Sequence, residues 1–179
     1  MNRSLVAVGL GFLCLGVTGA LSAQQRKTAL KTPTIPVRPA MYISETKRVL
    51  YGLRGVRVRV GAPSDEMEKL GLPQSRIERA VSDNLRRHGV PVMTEEEVRK
   101  AVGSPTLWIS ITDMQHAFRI SVEHREDILL MRQPSTTILA AITWQKDAIG
   151  TGMDAEHITK SLQALVDLYA DDYVAANPK

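Results

Sequence analysis

Three successive runs of alternating apolar and polar residues fill positions 106–144. Alternation sends every second side chain to the same face of a β-strand. In the first run Leu107, Ile109 and Ile111 share one face, and Trp108, Ser110 and Thr112 the other. In the second, Phe118, Ile120, Val122 and His124 oppose Arg119, Ser121, Glu123 and Arg125. The short polar stretch 113–116 between them predicts a hairpin connection. Residues 128–132 prolong the second strand past a bulge at Glu126 and Asp127. Gln133, Pro134 and Ser135 predict a turn, and 136–144, rich in Thr, Ile and Ala, a third strand that returns and ends at Trp144. The predicted product is an antiparallel meander. Its apolar face is for helices to cover, and its face of Arg, Glu, Ser and Thr turns toward water.

The flanking segments read as the covering parts. Residues 49–60 predict a first strand, with Val56, Val58 and Val60 in one row and Arg57 and Arg59 on the opposite face. A helix follows over 73–88. Ile77, Ala80, Val81 and Leu85 recur every three or four residues as one buried stripe, and Gly89 stands beyond the end as a stop signal. Residues 90–93 predict a short strand, placed at an edge or a strand end by Pro91. Thr94 and Glu97 form a capping box at the start of a short helix that runs to Ala101. After Trp144, residues 146–152 predict a loop. Asp154 is the N-cap of the longest helix, 155–175, whose apolar stripe is Ile158, Leu162, Leu165, Val166, Tyr169 and Tyr173. The order β-α-β-α-β-β-β-α predicts an α+β fold of two layers, a mostly antiparallel sheet with helices packed on one face.

That order resembles the amino-terminal domain of TolB and related envelope modules. From about Val49 onward the chain is also similar to a group of small exported bacterial proteins of unassigned function. The residues behind the similarity are Leu70, Gly71 and Leu72, then His88 to Val92 leading into Glu95, Glu96 and Glu97, and the ending Asp171 to Pro178. The resemblance implies a place in the cell envelope and transfers no catalytic residue.

Composition changes the picture at the amino terminus. Arg3 supplies a short basic region, residues 5–17 are apolar, and Leu21, Ser22 and Ala23 form a cleavage-like site, so 1–23 reads as a signal peptide. The rival reading keeps 4–23 as an uncleaved membrane anchor. Residues 24–47 read as a basic linker broken by Pro33, Pro36 and Pro39, and 48–179 as a single α+β domain. Cys14 is the sole cysteine of the chain. Removal of the signal therefore leaves no disulfide, thiolate zinc site or cysteine nucleophile. The formal charge of +4 is unevenly spread. Positions 24–60 hold nine Lys and Arg against Glu45 alone, whereas 61–179 hold thirteen bases and eighteen acids. The basic front end suits anionic surfaces and acidic partners. Export, to the periplasm or beyond the cell, excludes nucleic acid as the expected partner.

No catalytic or cofactor motif stands in its proper context. Gly150, Gly152 and Ala155 match a dinucleotide fingerprint between a strand and a helix, but no second parallel strand follows to complete the βαβ unit, so no cofactor is expected. His116 and His124 flank a predicted hairpin turn. With Asp113 as a third ligand they are the residues on which a periplasmic hydrolase or metal-dependent enzyme would rest; the plainer alternative is a turn histidine and a sheet-face histidine, with no metal site. His88 ends a helix, where the helix dipole explains it. Glu123 and Arg125 are expected on the solvated face.

The polar sheet face offers the better candidate. Arg57, Arg59, Arg119 and Arg125 share it by parity with Trp108. Arginine and tryptophan make strong recognition surfaces and stack on sugars or cations. The sequence therefore predicts a non-catalytic exported envelope protein. Its binding surface is this Arg/Trp face or the basic arm, and its partner an envelope protein, a glycan or an anionic lipid surface. Pairing between copies through an open sheet edge is a further expectation.

Overall fold

The computed structural model describes residues 45–178. The predicted signal segment and most of the basic linker lie outside the described residues. The fold is α+β, with one mixed sheet of four strands. These are β1 (Arg57–Val60), β2 (Thr106–Asp113), β3 (Ala117–Leu130) and β4 (Gln133–Thr151), in spatial order β1-β2-β3-β4. β2, β3 and β4 form the expected antiparallel meander, while β1 pairs with β2 in parallel. A parallel pair needs a long crossover. Here it carries α2 (Asp65–Lys69), α3 (Gln74–Arg87) and α4 (Glu95–Lys100).

Alternation does what the sequence predicts. Val58, Val60, Leu107, Ile109, Phe118, Ile120, Val122 and Trp144 are buried on one face. α3 and α5 (Ala155–Ala176) pack on that face and on each other, closing the core with Ile77, Val81, Leu85, Ile158, Leu162, Val166 and Tyr169. Pro73 and His88 flank α3 as its cap residues, and Gly89 follows with φ of 81°. α4 carries both arms of the predicted capping box. The Thr94 backbone N–H, then its hydroxyl, hold the Glu97 carboxyl below its ordinary range. Asp154 accepts from the backbone N–H of Glu156 and His157 at the start of α5.

Five expectations change. Ala80, read into the buried stripe of α3, is exposed, because it lies at the edge of that stripe, on the side of Ile77 away from Val81 and Leu85. The first strand is confined to β1. Residues 49–52 instead form a turn that ends at Gly52 (φ 80°), and Gly55 (φ 153°) follows shortly before β1. A Cβ on Gly55 would stand 2.6 Å from the Pro91 carbonyl oxygen, so only glycine lets the two backbones meet. Residues 90–93 contribute one parallel bridge, Val56 with Val92, rather than a ladder. The β3–β4 reversal falls at Met131 and Arg132, ahead of Pro134, which sits inside β4. Finally, 146–152 is not a loop: β4 continues to Thr151 because β3 pairs with it as far as Ala117↔Thr151. The expected bulge is present, with register shifts after His124, Glu126 and Leu129.

The two ends of the described chain are fastened together. α1 (Glu45–Arg48) packs on α5. Asn177 accepts from the Gly52 N–H and donates to the Leu50 carbonyl, both at 2.8 Å. The Tyr173 hydroxyl donates to the Leu53 carbonyl at 2.8 Å, and Lys47 pairs with Asp172 at 3.1 Å.

Gly150, the first glycine of the apparent fingerprint, has a steric role. It lies opposite Phe118 in the β3–β4 ladder, and any Cβ there would overlap the Phe118 ring. That ring is fully buried and meets His157 edge-on, with centroids 5.2 Å apart. Gly150→Ala is therefore expected to lower unfolding stability by about 1–3 kcal/mol through overpacking, measured by urea denaturation. Gly152→Ala meets no atom within 4 Å and carries only the strain of φ 84°; equal or greater loss at Gly152 would contradict the steric assignment.

Candidate functional site

The sheet register brings four of the five predicted residues together on the face that α3 and α5 leave open. β1 sets Arg57 beside Thr106 and Arg59 beside Trp108. β3 sets Arg125 beside Thr106 and Glu123 beside Trp108. Arg57, Arg59, Trp108 and Arg125 thus line one concavity of about 390 Å³, together with Ser104, Thr106, Asp127 and Ala140. The fifth residue, Arg119, is not part of it. It lies on the same face but six residues along β3 from Arg125, roughly 20 Å away at the rise of a strand, and pairs with Asp147 at 3.1 Å.

Each guanidinium is held differently. Arg125 lies over the Trp108 ring, 4.8 Å from its centroid, in cation–π contact. Its Nε and Nη2 both donate to Glu123 Oε2, at 2.8 and 2.6 Å. The Ser121 hydroxyl donates to the other Glu123 oxygen at 3.2 Å. Glu123 is therefore not solvated, as its place in the alternation suggested, but only 9 % exposed. Both its oxygens have partners, the condition for a carboxylate to leave water. Arg57 and Arg59 share one carboxylate: Glu95 Oε2 contacts Arg57 Nη1 closely and Arg59 Nη2 at 3.7 Å. Glu95 Oε1 accepts from Arg99 Nε at 3.3 Å. Three guanidiniums thus divide a single negative charge, and Arg59, half exposed, has the longest contact of the three.

The sequence did not single out Glu95, although it sits at the first position of α4. Glu95, Glu96 and Glu97 read equally as a helix start favoured by the dipole. Only the fold selects Glu95 as the one that meets β1. Asp127 was hidden by the irregular register around Glu126; its Oδ1 accepts from the Ala140 N–H at 2.8 Å.

His116 and His124 do not form a shared site. His116 is exposed in the β2–β3 turn, with φ of 42°. His124 lies eight residues along β3, roughly 25 Å from it by strand rise. Asp113 stays at the His116 end. Among the described residues no group of three or more His, Cys, Asp or Glu is placed to hold a metal ion.

His124 is fully buried instead, because β3 alternation points it at α5. Its Nε2 meets Glu126 Oε1 at 2.5 Å, and its Nδ1 meets the Tyr169 hydroxyl at 2.9 Å. A proton on Nε2 satisfies the whole chain: Tyr169 donates to Nδ1, and Nε2–H donates to the carboxylate. Burial raises the Tyr169 pKa well above the ordinary 10.0, with Tyr173 and Glu126 adding to the effect. Burial likewise raises Tyr173. Tyr169→Phe leaves Nδ1 unpaired and is expected to cost about 1–3 kcal/mol near neutral pH. The pH dependence has a definite sign. A tyrosine whose pKa is raised by folding contributes stability that is present below pH 10 and lost as pH rises above it. Wild-type stability should fall above pH 10, and Tyr169→Phe should flatten that fall. Denaturation curves across pH 8–11.5 that run parallel for the two proteins would refute the assignment.

No protein-family model and no curated protein matches the chain.

Proposed function

We propose that this chain is a non-catalytic, exported binding module of the bacterial envelope, which holds its partner in the Arg57/Arg59/Trp108/Arg125 concavity. The convergence of these four side chains on one open sheet face carries the reading. They come from three strands and are drawn together by register, and Arg125 is fixed in place by Glu123 and Trp108 before any partner arrives. A preformed arginine and aromatic cluster favours binding because little side-chain freedom remains to be lost. The basic stretch 24–60 adds long-range attraction to an acidic partner. The signal-like residues 1–23 support export, to the periplasm or beyond the cell.

The test is capture from envelope extract at physiological salt. Baits are the wild-type protein, the double variant Arg57→Glu/Arg59→Glu, and Arg59→Glu alone, which spares the less exposed guanidinium. Both variants should lose a partner that the wild type retains. Arg59→Glu should also keep its melting temperature within about 2–4 °C of wild type, since an exposed ion pair is worth at most about 1 kcal/mol. Retention of the same partners by all three baits would refute the reading.

A further inference from the structure

Two of the arginines that line the concavity already meet a carboxylate, and that carboxylate belongs to the chain. Glu95, in the first turn of α4, contacts both Arg57 and Arg59. A third arginine, Arg99, holds its other oxygen. The cluster is left with two more positive charges than Glu95 neutralises, and the donors of Arg59 are the least used. Building on the binding reading above, we propose that the ligand is an acidic peptide segment of a partner protein. One of its carboxylates competes with Glu95 for Arg57 and Arg59, so that Glu95 is an internal stand-in that lowers the affinity of the resting site.

Three observations favour a peptide carboxylate. The resident group has that same chemistry and shows that the two guanidiniums converge on one carboxylate. The indole of Trp108 forms the wall beside them, where an apolar or aromatic neighbour in a peptide finds a surface. The four side chains line a concavity together with Asp127, so an extended chain that offers single carboxylates fits it better than a broad anionic bilayer surface. Glu95 is also open to competition: its side chain is 43 % exposed, and the α4 capping box is completed by Glu97, not by Glu95. Removing its charge leaves the Thr94–Glu97 capping box intact.

The experiment measures binding of fluorescein-labelled hexaglutamate by anisotropy, at low and at physiological salt. It uses the wild-type protein, Glu95→Gln and Arg59→Glu, with phosphatidylglycerol vesicles as a parallel probe. Glu95→Gln keeps the size and hydrogen-bonding capacity of the side chain and discards the charge. It should bind the peptide about two- to fivefold more tightly than wild type, the range of a partly exposed ion pair released for another partner. Arg59→Glu should abolish binding, and raised salt should weaken it in the wild type and in Glu95→Gln alike. Unchanged or weaker peptide binding by Glu95→Gln overturns the stand-in role. If charge reversal at Arg57 and Arg59 still abolishes capture of an envelope partner, the binding reading survives that result. Binding to the vesicles with no binding to the peptide overturns the assignment of the ligand.

Discussion

The antiparallel register of β2 against β3 is the constraint on which the rest of the molecule depends. Eight consecutive rungs, from Thr106↔Arg125 to Asp113↔Phe118, tie the two strands. Side chains alternate with a period of two, so a slip of one residue would turn Phe118, Ile120, Val122 and His124 to water and bring Arg119, Ser121, Glu123 and Arg125 under the helices. The buried row is strongly apolar, which makes that exchange prohibitive. Fixing the row fixes the opposite face as well. Arg125 falls beside Thr106, Glu123 beside Trp108, and the parallel addition of β1 then delivers Arg57 and Arg59 to the same corner. Core and recognition surface are two readings of one register.

His124 and Arg125 show how sharply that division runs. They are adjacent in sequence, and each is bonded to a glutamate two residues away along β3, Arg125 to Glu123 and His124 to Glu126. One sits wholly inside against Tyr169, while the other stacks on Trp108 and lines the concavity. The ladder changes register between them, where β4 admits Thr143 as an extra residue. A bulge there lets β4 bring Trp144 into the core and keep Ile142 outside, although only two positions separate them.

Much of this was legible in the sequence because it rests on period. The meander, the Ile77, Val81 and Leu85 stripe of α3, the Thr94 capping box and the Asp154 cap are local patterns with local causes, and they appear where the residues placed them, with Ala80 alone leaving its stripe. The shared face of Arg57, Arg59, Trp108 and Arg125 was legible for the same reason, since parity is independent of which strands become neighbours. What escaped depends on pairing. The extent of β4 past Trp144 follows from β3 still needing a partner, and Lys146 and Asp147 carry no apolar signal of it. Arg119 shares parity with the cluster, but position along the strand separates it. The convergence of α4 on β1 is set by a crossover of more than forty residues, so the encounter of Glu95 with Arg57 had no signature in the chain. Burial of Glu123 was likewise invisible, because it comes from neighbours satisfying both oxygens and not from the residue itself.

The fastening of the chain ends by Asn177, Tyr173 and Asp172 bears on how load enters the domain. Leu50 and Asn177 are 127 positions apart, so their contact closes the longest loop among the hydrogen bonds of the described residues and carries the largest ordering entropy. A pull applied ahead of α1 reaches the carboxyl end of α5 first, through two side-chain amide bonds, one phenolic hydroxyl and one ion pair. The strands lie behind that clasp. Tension on the amino-terminal side would open the clasp before it disturbed the register of β2 and β3, so the domain can give at its ends while the sheet, and the surface it presents, stay assembled.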